Sequence, residues 1–261
     1  LHFDLTDIYQ PRAGWIHLLD PRVKLLSAVA IILTVVTLPP GAWPALGLVL
    51  ALLVLLSVTA GLGPFFAIKG AFIAFPFILA ALPIPFITPG PSLWVVPGLG
   101  WTVTATGLVR FITILLRTWL AVQAGVLLSA TTPVPQMLWG LQALGIPKLL
   151  VAVIGFMVRY IFVLGDEVLR MLRARSARSP RIPGHRHPGI LWQGRMAGMM
   201  VGSFFLRSME RSERVYEAMA SRGYRGQIQL LERPAMTTSD WIALAALCTV
   251  LAGVLAIGIW G

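Results

Sequence analysis

Apolar residues in this chain come in long runs that polar residues bound but seldom interrupt. Such runs lie at residues 23–38, 42–62, 65–87, 103–130 and 241–260. A helix needs about 20 apolar residues to cross the ~30 Å hydrocarbon layer of a bilayer, so the pattern predicts about five transmembrane helices. The first run is short, which calls for a tilt or an extension by the polar turn ahead of it. The third carries Pro76, Pro83 and Pro85. Each removes a backbone donor, so that span is expected to be kinked or broken, its freed carbonyls satisfied by neighbouring helices.

Between the fourth and last runs the pattern changes. Thr131-Thr132-Pro133 reads as a polar cap followed by proline in a first turn, opening a short helix through Leu144 that Gly145-Ile146-Pro147 closes. Residues 149–178 read as a long helix, apolar at first and charged later. Pro180, Pro183, Gly184, Pro188 and Gly189 form a linker, and residues 190–221 a second long helix. The reading is an all-α integral membrane protein in three parts: a four-span N-terminal bundle at 1–130, a helical segment at 131–233 and a final span at 234–261.

Composition agrees, with 57% hydrophobic and 12% charged residues, against about 25% charged in ordinary soluble domains. The polar stretch 2–20 lacks the layout of a signal peptide, so none is expected. The net charge of +11 is unevenly placed: residues 148–233 hold fifteen of the 21 Lys and Arg but only six acids. Residues 39–41 and 88–102 have no Lys or Arg, whereas Arg12, Arg22, Lys24 and Lys69 fall on the opposite side. The positive-inside rule then puts the N-terminus and residues 131–233 in the cytoplasm and the C-terminus outside. Basic charge flanked by spans points to a membrane face and not to a nucleic-acid partner.

Catalytic chemistry is sparse. There is no Ser-His-Asp set, no Gly-rich phosphate loop and no HExxH helix, so no catalytic residue is assigned and the chain is not read as an enzyme. His185-Arg186-His187 sits in the Pro-rich linker without Cys or Asp nearby and is no metal cage. The lone Cys248 lies in an apolar run. Arg110 and Arg117, seven residues apart, share one face of the fourth span, and the first four spans offer no acid to pair with them. They are expected to act structurally, binding carbonyls, a polar N-terminal residue or another subunit.

The stretch "ERSERVYEAMASRGYRG", residues 210–226, is more telling. Phe205, Met209, Ser212, Tyr216 and Met219 fall on one stripe of its helix, with Arg207, Glu210, Arg211, Arg214 and Glu217 opposite. Ala218, Ala220 and Ser221 strip bulk from the last turn. Arg222 points out, and Gly223 is placed for a left-handed cap. The other long helix ends similarly in "RARSARSPR", with Ala177-Arg178-Ser179 before Pro180 and Arg175 one turn earlier. Local chemistry leaves two readings open: docking prongs, or basic helix ends facing their own dipole and anionic lipid.

The pair Ala177-Arg178-Ser179 and Ser221-Arg222-Gly223 resembles the two Ala-Arg-Gly motifs of the transmembrane T component of energy-coupling factor (ECF) transporters, the CbiQ/EcfT family. The string "FFLRSMERSERVYEAMASRGYRG" is most similar to its cobalt-type CbiQ branch. The likeness extends to "LLDPRVKLL" (residues 18–26), to Arg117 followed by "SATTP" (129–133), and to the "GIPKLL" turn, so it covers nearly the whole chain.

This resemblance implies a non-catalytic scaffold in the prokaryotic plasma membrane that links a substrate-binding membrane subunit to two cytoplasmic ABC-type ATPases. ATP and Mg are bound by those partners, and this chain carries no cofactor. Residues 131–233 become a coupling domain of three helices. Arg178 and Arg222 become the paired ATPase contacts, in the triplets named above. Ser179 stands where the family has Gly and Ser221 where it has Ala. Both are small, but the first tip lacks a Gly cap and Arg175 competes for the role there. Met137, Phe156, Met196, Met199 and Met200 are candidate contacts for the substrate-binding subunit, which is S-type or CbiM-like. The implied cargo is cobalt or nickel, with a vitamin as the alternative. From another class, a lipid-modifying enzyme with Arg110, Arg117 and the basic segment gathering phosphates lacks a general base.

Overall fold

In the computed structural model the described residues are 14–63, 79–95, 102–178, 189–224 and 236–260. They form two compact units. One holds the described residues from Thr6 to Leu144 and from Glu232 to Gly261; the other holds those from Gly145 to Leu231.

The first unit contains α1 (Trp15–Leu18), α2 (Pro21–Thr37), α3 (Trp43–Thr59), α4 (Ile84–Ile87), the strands β1 (Ser92–Val95) and β2 (Thr102–Thr104), α5 (Ala105–Thr131), α6 (Val134–Ala143) and α9 (Thr238–Trp260). α2 packs on α5, α6 and α9, and α3 packs on α5 and α9. The apolar faces of these helices meet in one core, built on Ile31, Val35, Leu38, Leu46, Val49, Leu53, Leu120, Leu127, Leu251 and Val254. β1 and β2 pair antiparallel, with Trp94 opposite Val103 and a register shift between Ser92 and Trp94.

Two described helices of this unit, α5 and α9, are long and apolar enough to cross a membrane, and α3 is a shorter apolar helix of 17 residues. On α9, Trp241 and Trp260 are 60% and 91% exposed. A rise of 1.5 Å per residue puts them about 28 Å apart, close to the hydrocarbon thickness at which interfacial tryptophans settle. The third expected span, 65–87, lies largely outside the described residues. Where it is described, the chain turns at Leu82-Pro83 before α4, as a proline break requires.

One end of the unit is tied by buried polar groups. Asp20 caps α2, its Oδ1 accepting the Arg22 N–H at 2.7 Å, and Pro21 occupies the first helical position. Asp240, inside the first turn of α9, reaches back to the residue ahead of that helix, its Oδ2 accepting the Thr237 N–H at 2.8 Å and the Thr237 hydroxyl at 2.7 Å. The two helix starts are joined, because the Asp20 N–H donates to Asp240 Oδ1 at 3.0 Å. Lys24, only 6% exposed, donates from Nζ to the His17 carbonyl at 3.0 Å and to the Thr131 carbonyl, at the end of α5, at 3.4 Å. A cation there also complements the negative end of the α5 dipole.

Arg22 lies over the Trp139 ring of α6, 4.5 Å from its centroid. Beside it, α6 seats closely on α2 at Gly140, where a Cβ would come within 2.8 Å of Leu25 Cδ1 and 3.4 Å of the Pro21 backbone. The start of α6 corrects the sequence reading. Thr131 still belongs to α5, Thr132 is its C-cap, and Pro133 is the N-cap of α6 without a side-chain bond. An uninterrupted α5 carried the helix past the threonines expected to cap its successor.

The second unit contains α7 (Lys148–Arg178, 31 residues) and α8 (Ile190–Ser221, 32 residues). α7 is also long and apolar enough to span a bilayer. Apart from Lys148 and Arg159, its charged residues fall in its later half, from Asp166 on, as the sequence reading expected.

Candidate functional site: two arginine helix tips

Three contacts fix how α7 and α8 run past each other. Phe156 of α7 meets Tyr224, just beyond α8, edge-on with ring centroids 6.1 Å apart and planes at 76°. Glu167 pairs with Arg211. Arg175 Nη1 lies 3.7 Å from Met200 Sδ. As α7 residue numbers rise, α8 numbers fall, so the helices are antiparallel. Arg178 ends α7, whereas Arg222, next to Tyr224, lies level with Phe156. The helical rise from Phe156 to Arg178 then separates the two tips by about 33 Å along the pair.

Both tip arginines are exposed, as are Ala177, Ser221 and Gly223. Ser179 lies outside the described residues, as does the His185-Arg186-His187 sequence. The second tip has a glycine stop: Gly223 takes φ +81°, the Tyr224 N–H bonds the Met219 carbonyl at 3.0 Å and the Gly223 N–H the Ala220 carbonyl at 3.0 Å. This is the six-to-one, five-to-two closure that a left-handed residue permits. Tyr224 then returns to Phe156, which pins the turn and leaves Arg222 clear of it.

Arg175 behaves differently from Arg178. It is half-buried with its guanidinium beside Met200, whereas Arg178 is exposed; both border a groove of about 530 Å³ lined by Met171, Trp192, Met196, Met199 and Met200. A smaller groove of about 160 Å³ adjoins it, lined by Val168, Met171, Met200 and Phe204 among others. Three of the methionines singled out from sequence therefore converge. Met137 lies on α6 in the other unit, and Phe156 is engaged by Tyr224.

Arg211 departs from the sequence reading, which placed it on the solvated side of α8. It is half-buried against Glu167. Phe205, Met209 and Tyr216, of the stripe expected to be covered, are instead 63%, 52% and 64% exposed. The α8 pattern carries two apolar faces, and periodicity alone did not tell which meets α7.

In the first unit, Arg117 donates from Nη2 to the Leu38 carbonyl at the end of α2, and Thr113 on the same helix accepts the Gly41 N–H at 3.3 Å. Arg110 is exposed on α5. The residues that sequence reasoning missed are Asp20, Lys24 and Asp240. "LLDPRVKLL" and the Thr-Thr-Ser-Asp run at 237–240 each signal a capped helix start, but their meeting is long-range. Among the described residues no three His, Cys, Asp or Glu side chains converge as metal ligands.

An all-α membrane fold with an arginine-tipped helix pair defines a class, and comparison with known proteins gives the family. The chain belongs to the CbiQ cobalt transport protein family, whose model matches residues 12–231. It is 28% identical over 259 residues to the energy-coupling factor transporter transmembrane protein EcfT of Listeria innocua, covering 93% of this chain and 95% of that one. It is 26% identical over 243 residues to the cobalt transport protein CbiQ of Rhodobacter capsulatus, covering 90% of each. An uncharacterized protein of Methanocaldococcus jannaschii is 29% identical over 180 residues, 66% of this chain, which spans 59% of that relative's length. The protein is thus a transmembrane component of a transport system.

Proposed function

We propose that the protein is the scaffold and energy-coupling subunit of an ATP-driven ECF-type importer for cobalt or nickel. In this reading Arg178 and Arg222 each enter an acidic groove of a separate cytoplasmic ATPase, and ATP and Mg are handled there. A third, substrate-binding membrane subunit meets the methionine-lined side of α7 and α8, and residues 131–233 act as the cytoplasmic coupling domain. Relative movement of the two ATPases on closing would pass through the two tips into the pair.

The observation that carries this reading is the placement of two exposed guanidiniums at opposite ends of one antiparallel pair. Sites some 33 Å apart suit two partner molecules better than one groove. Arginine fits because its planar fork binds a carboxylate bidentately and keeps its charge near neutral pH. The inward turn of Arg175 favours Arg178 as the first contact. The metal cargo is supported by the name of the Rhodobacter relative. A vitamin is the alternative cargo, and uptake of radiolabelled cobalt against a labelled vitamin separates the two.

The test is co-purification of the chain with co-expressed ABC-type ATPases. Losing one desolvated arginine contact costs about 2–5 kcal/mol. Arg178→Glu and Arg222→Glu are each expected to weaken retention and the double variant to abolish it. Undiminished assembly and transport in the double variant contradicts the proposal.

A further inference from the structure

Glu167 and Arg211 form the one ion pair between helices among the described residues, with side chains 13% and 31% exposed. Glu167 stands eleven residues before Arg178, and Arg211 eleven before Arg222. Eleven residues close three helical turns to within about 20° and advance about 16 Å. On each helix, therefore, bridge residue and tip arginine lie along one face. The bridge sits midway between the tips, and exchanging α7 for α8 about it preserves the spacing, with only the bridging charge reversed. Such a layout presents like chemistry to two like partners related by a two-fold axis.

The other contacts that bear on the register are the Phe156–Tyr224 edge contact at the Arg222 end and the approach of Arg175 to Met200. α8 contains no buried residue. On the Arg178 side of the bridge the helices are separated by the two methionine-lined grooves, and flexible thioethers tolerate sliding. Arg207 and Arg214 flank Arg211 by about a turn, and both are exposed. A slip of one turn would offer Glu167 another guanidinium and move the tips by about 5 Å relative to each other. An ion pair this accessible adds little stability; its effect is on alignment.

We propose that Glu167 and Arg211 are a positioning pair that sets the register of α7 against α8, and with it the spacing at which Arg178 and Arg222 meet their partners. This rests on the docking role proposed above.

The experiment has two arms. Spin labels at Ala174→Cys and Glu217→Cys, in a chain also carrying Cys248→Ser, report the distance between the arms by pulsed EPR in nanodiscs, without any ATPase. Glu167→Arg and Arg211→Glu are each expected to shift or broaden that distance by about 5 Å, and the exchange Glu167→Arg with Arg211→Glu to restore it. Glu167→Gln keeps the shape and drops the charge, disturbs folding least, and is expected to broaden the distribution too. In the second arm, ATP-driven uptake of radiolabelled cobalt by the full complex in proteoliposomes falls about tenfold in each single reversal and recovers in the exchange. Unchanged distances in the single variants and in Glu167→Gln, or an exchange that restores neither distance nor uptake, overturn the proposal. Failure of the wild-type chain to retain ATPases defeats the docking reading instead, and the EPR arm still decides the register.

Discussion

The membrane bundle and the α7–α8 pair hold themselves together in opposite ways. The bundle buries a continuous apolar core and closes one end with caps, a lysine and two aspartates that bond across four elements. The pair buries almost nothing between its helices. It relies on an aromatic contact, an ion pair and an arginine–thioether contact, and leaves Val201, Phe205, Leu206, Met209 and Tyr216 largely exposed. The contrast teaches where each unit's geometry comes from. The bundle specifies itself, whereas the pair leaves most of its surface uncovered and is aligned by a few side-chain contacts.

That contrast can be broken from either side. The largest effect on the chain alone is expected from the bundle: Lys24→Met strands the His17 and Thr131 carbonyls and leaves Asp20 and Asp240 less compensated, at roughly 2–4 kcal/mol. A marked drop in the thermal unfolding temperature of the purified protein checks this. A drop no larger than that of an exposed lysine substitution would show that the buried knot does not bear on stability.

A smaller effect is expected in the pair. Gly223→Ala forces a side chain into the left-handed region at about 1–2 kcal/mol. Because the tip is exposed, unfolding should move little while ATPase retention falls as the Arg222 turn reorganises. Retention equal to wild type would mean that the position of Arg222 does not depend on that turn.

The smallest effect is a pH dependence. Desolvation lowers the pKa of His17 below its ordinary 6.5; a hydrogen bond with the Ala60 backbone opposes this and nearby Lys24 adds to it. The folded state thus prefers neutral His17. Its contribution is present above the unfolded value and is lost as pH falls through the folded one. Wild type should lose slightly more unfolding temperature than His17→Asn between pH 7.5 and pH 5, values chosen to bracket an ordinary imidazole pKa. Parallel losses in the two proteins would remove His17 from the account.

The comparison also separates what was legible in the sequence from what was not. α7, α8 and the Gly223 stop follow from local signals: apolar periodicity, small residues in a last turn, and a glycine where a helix must end. The proline break before α4 is equally local. The knot was not legible, because Asp20 and Asp240 meet across the whole chain and Lys24 read simply as one more cytoplasmic positive charge. Nor was the side of α8 that meets α7, since Arg211 looks solvated in any pattern that does not know where Glu167 lies. The roughly 33 Å between the tips likewise depends on antiparallel packing, which the triplets themselves do not encode.

The account's central claim is that the two tips engage two different motor molecules. Photoreactive residues placed singly and together at Ala177 and Ser221, in a chain assembled with ATPases, test it most directly. The claim predicts that each tip cross-links an ATPase and that the double variant yields one chain joined to two ATPase molecules. Cross-links from both tips to a single ATPase molecule, or only to lipid or to this chain's own bundle, would contradict it.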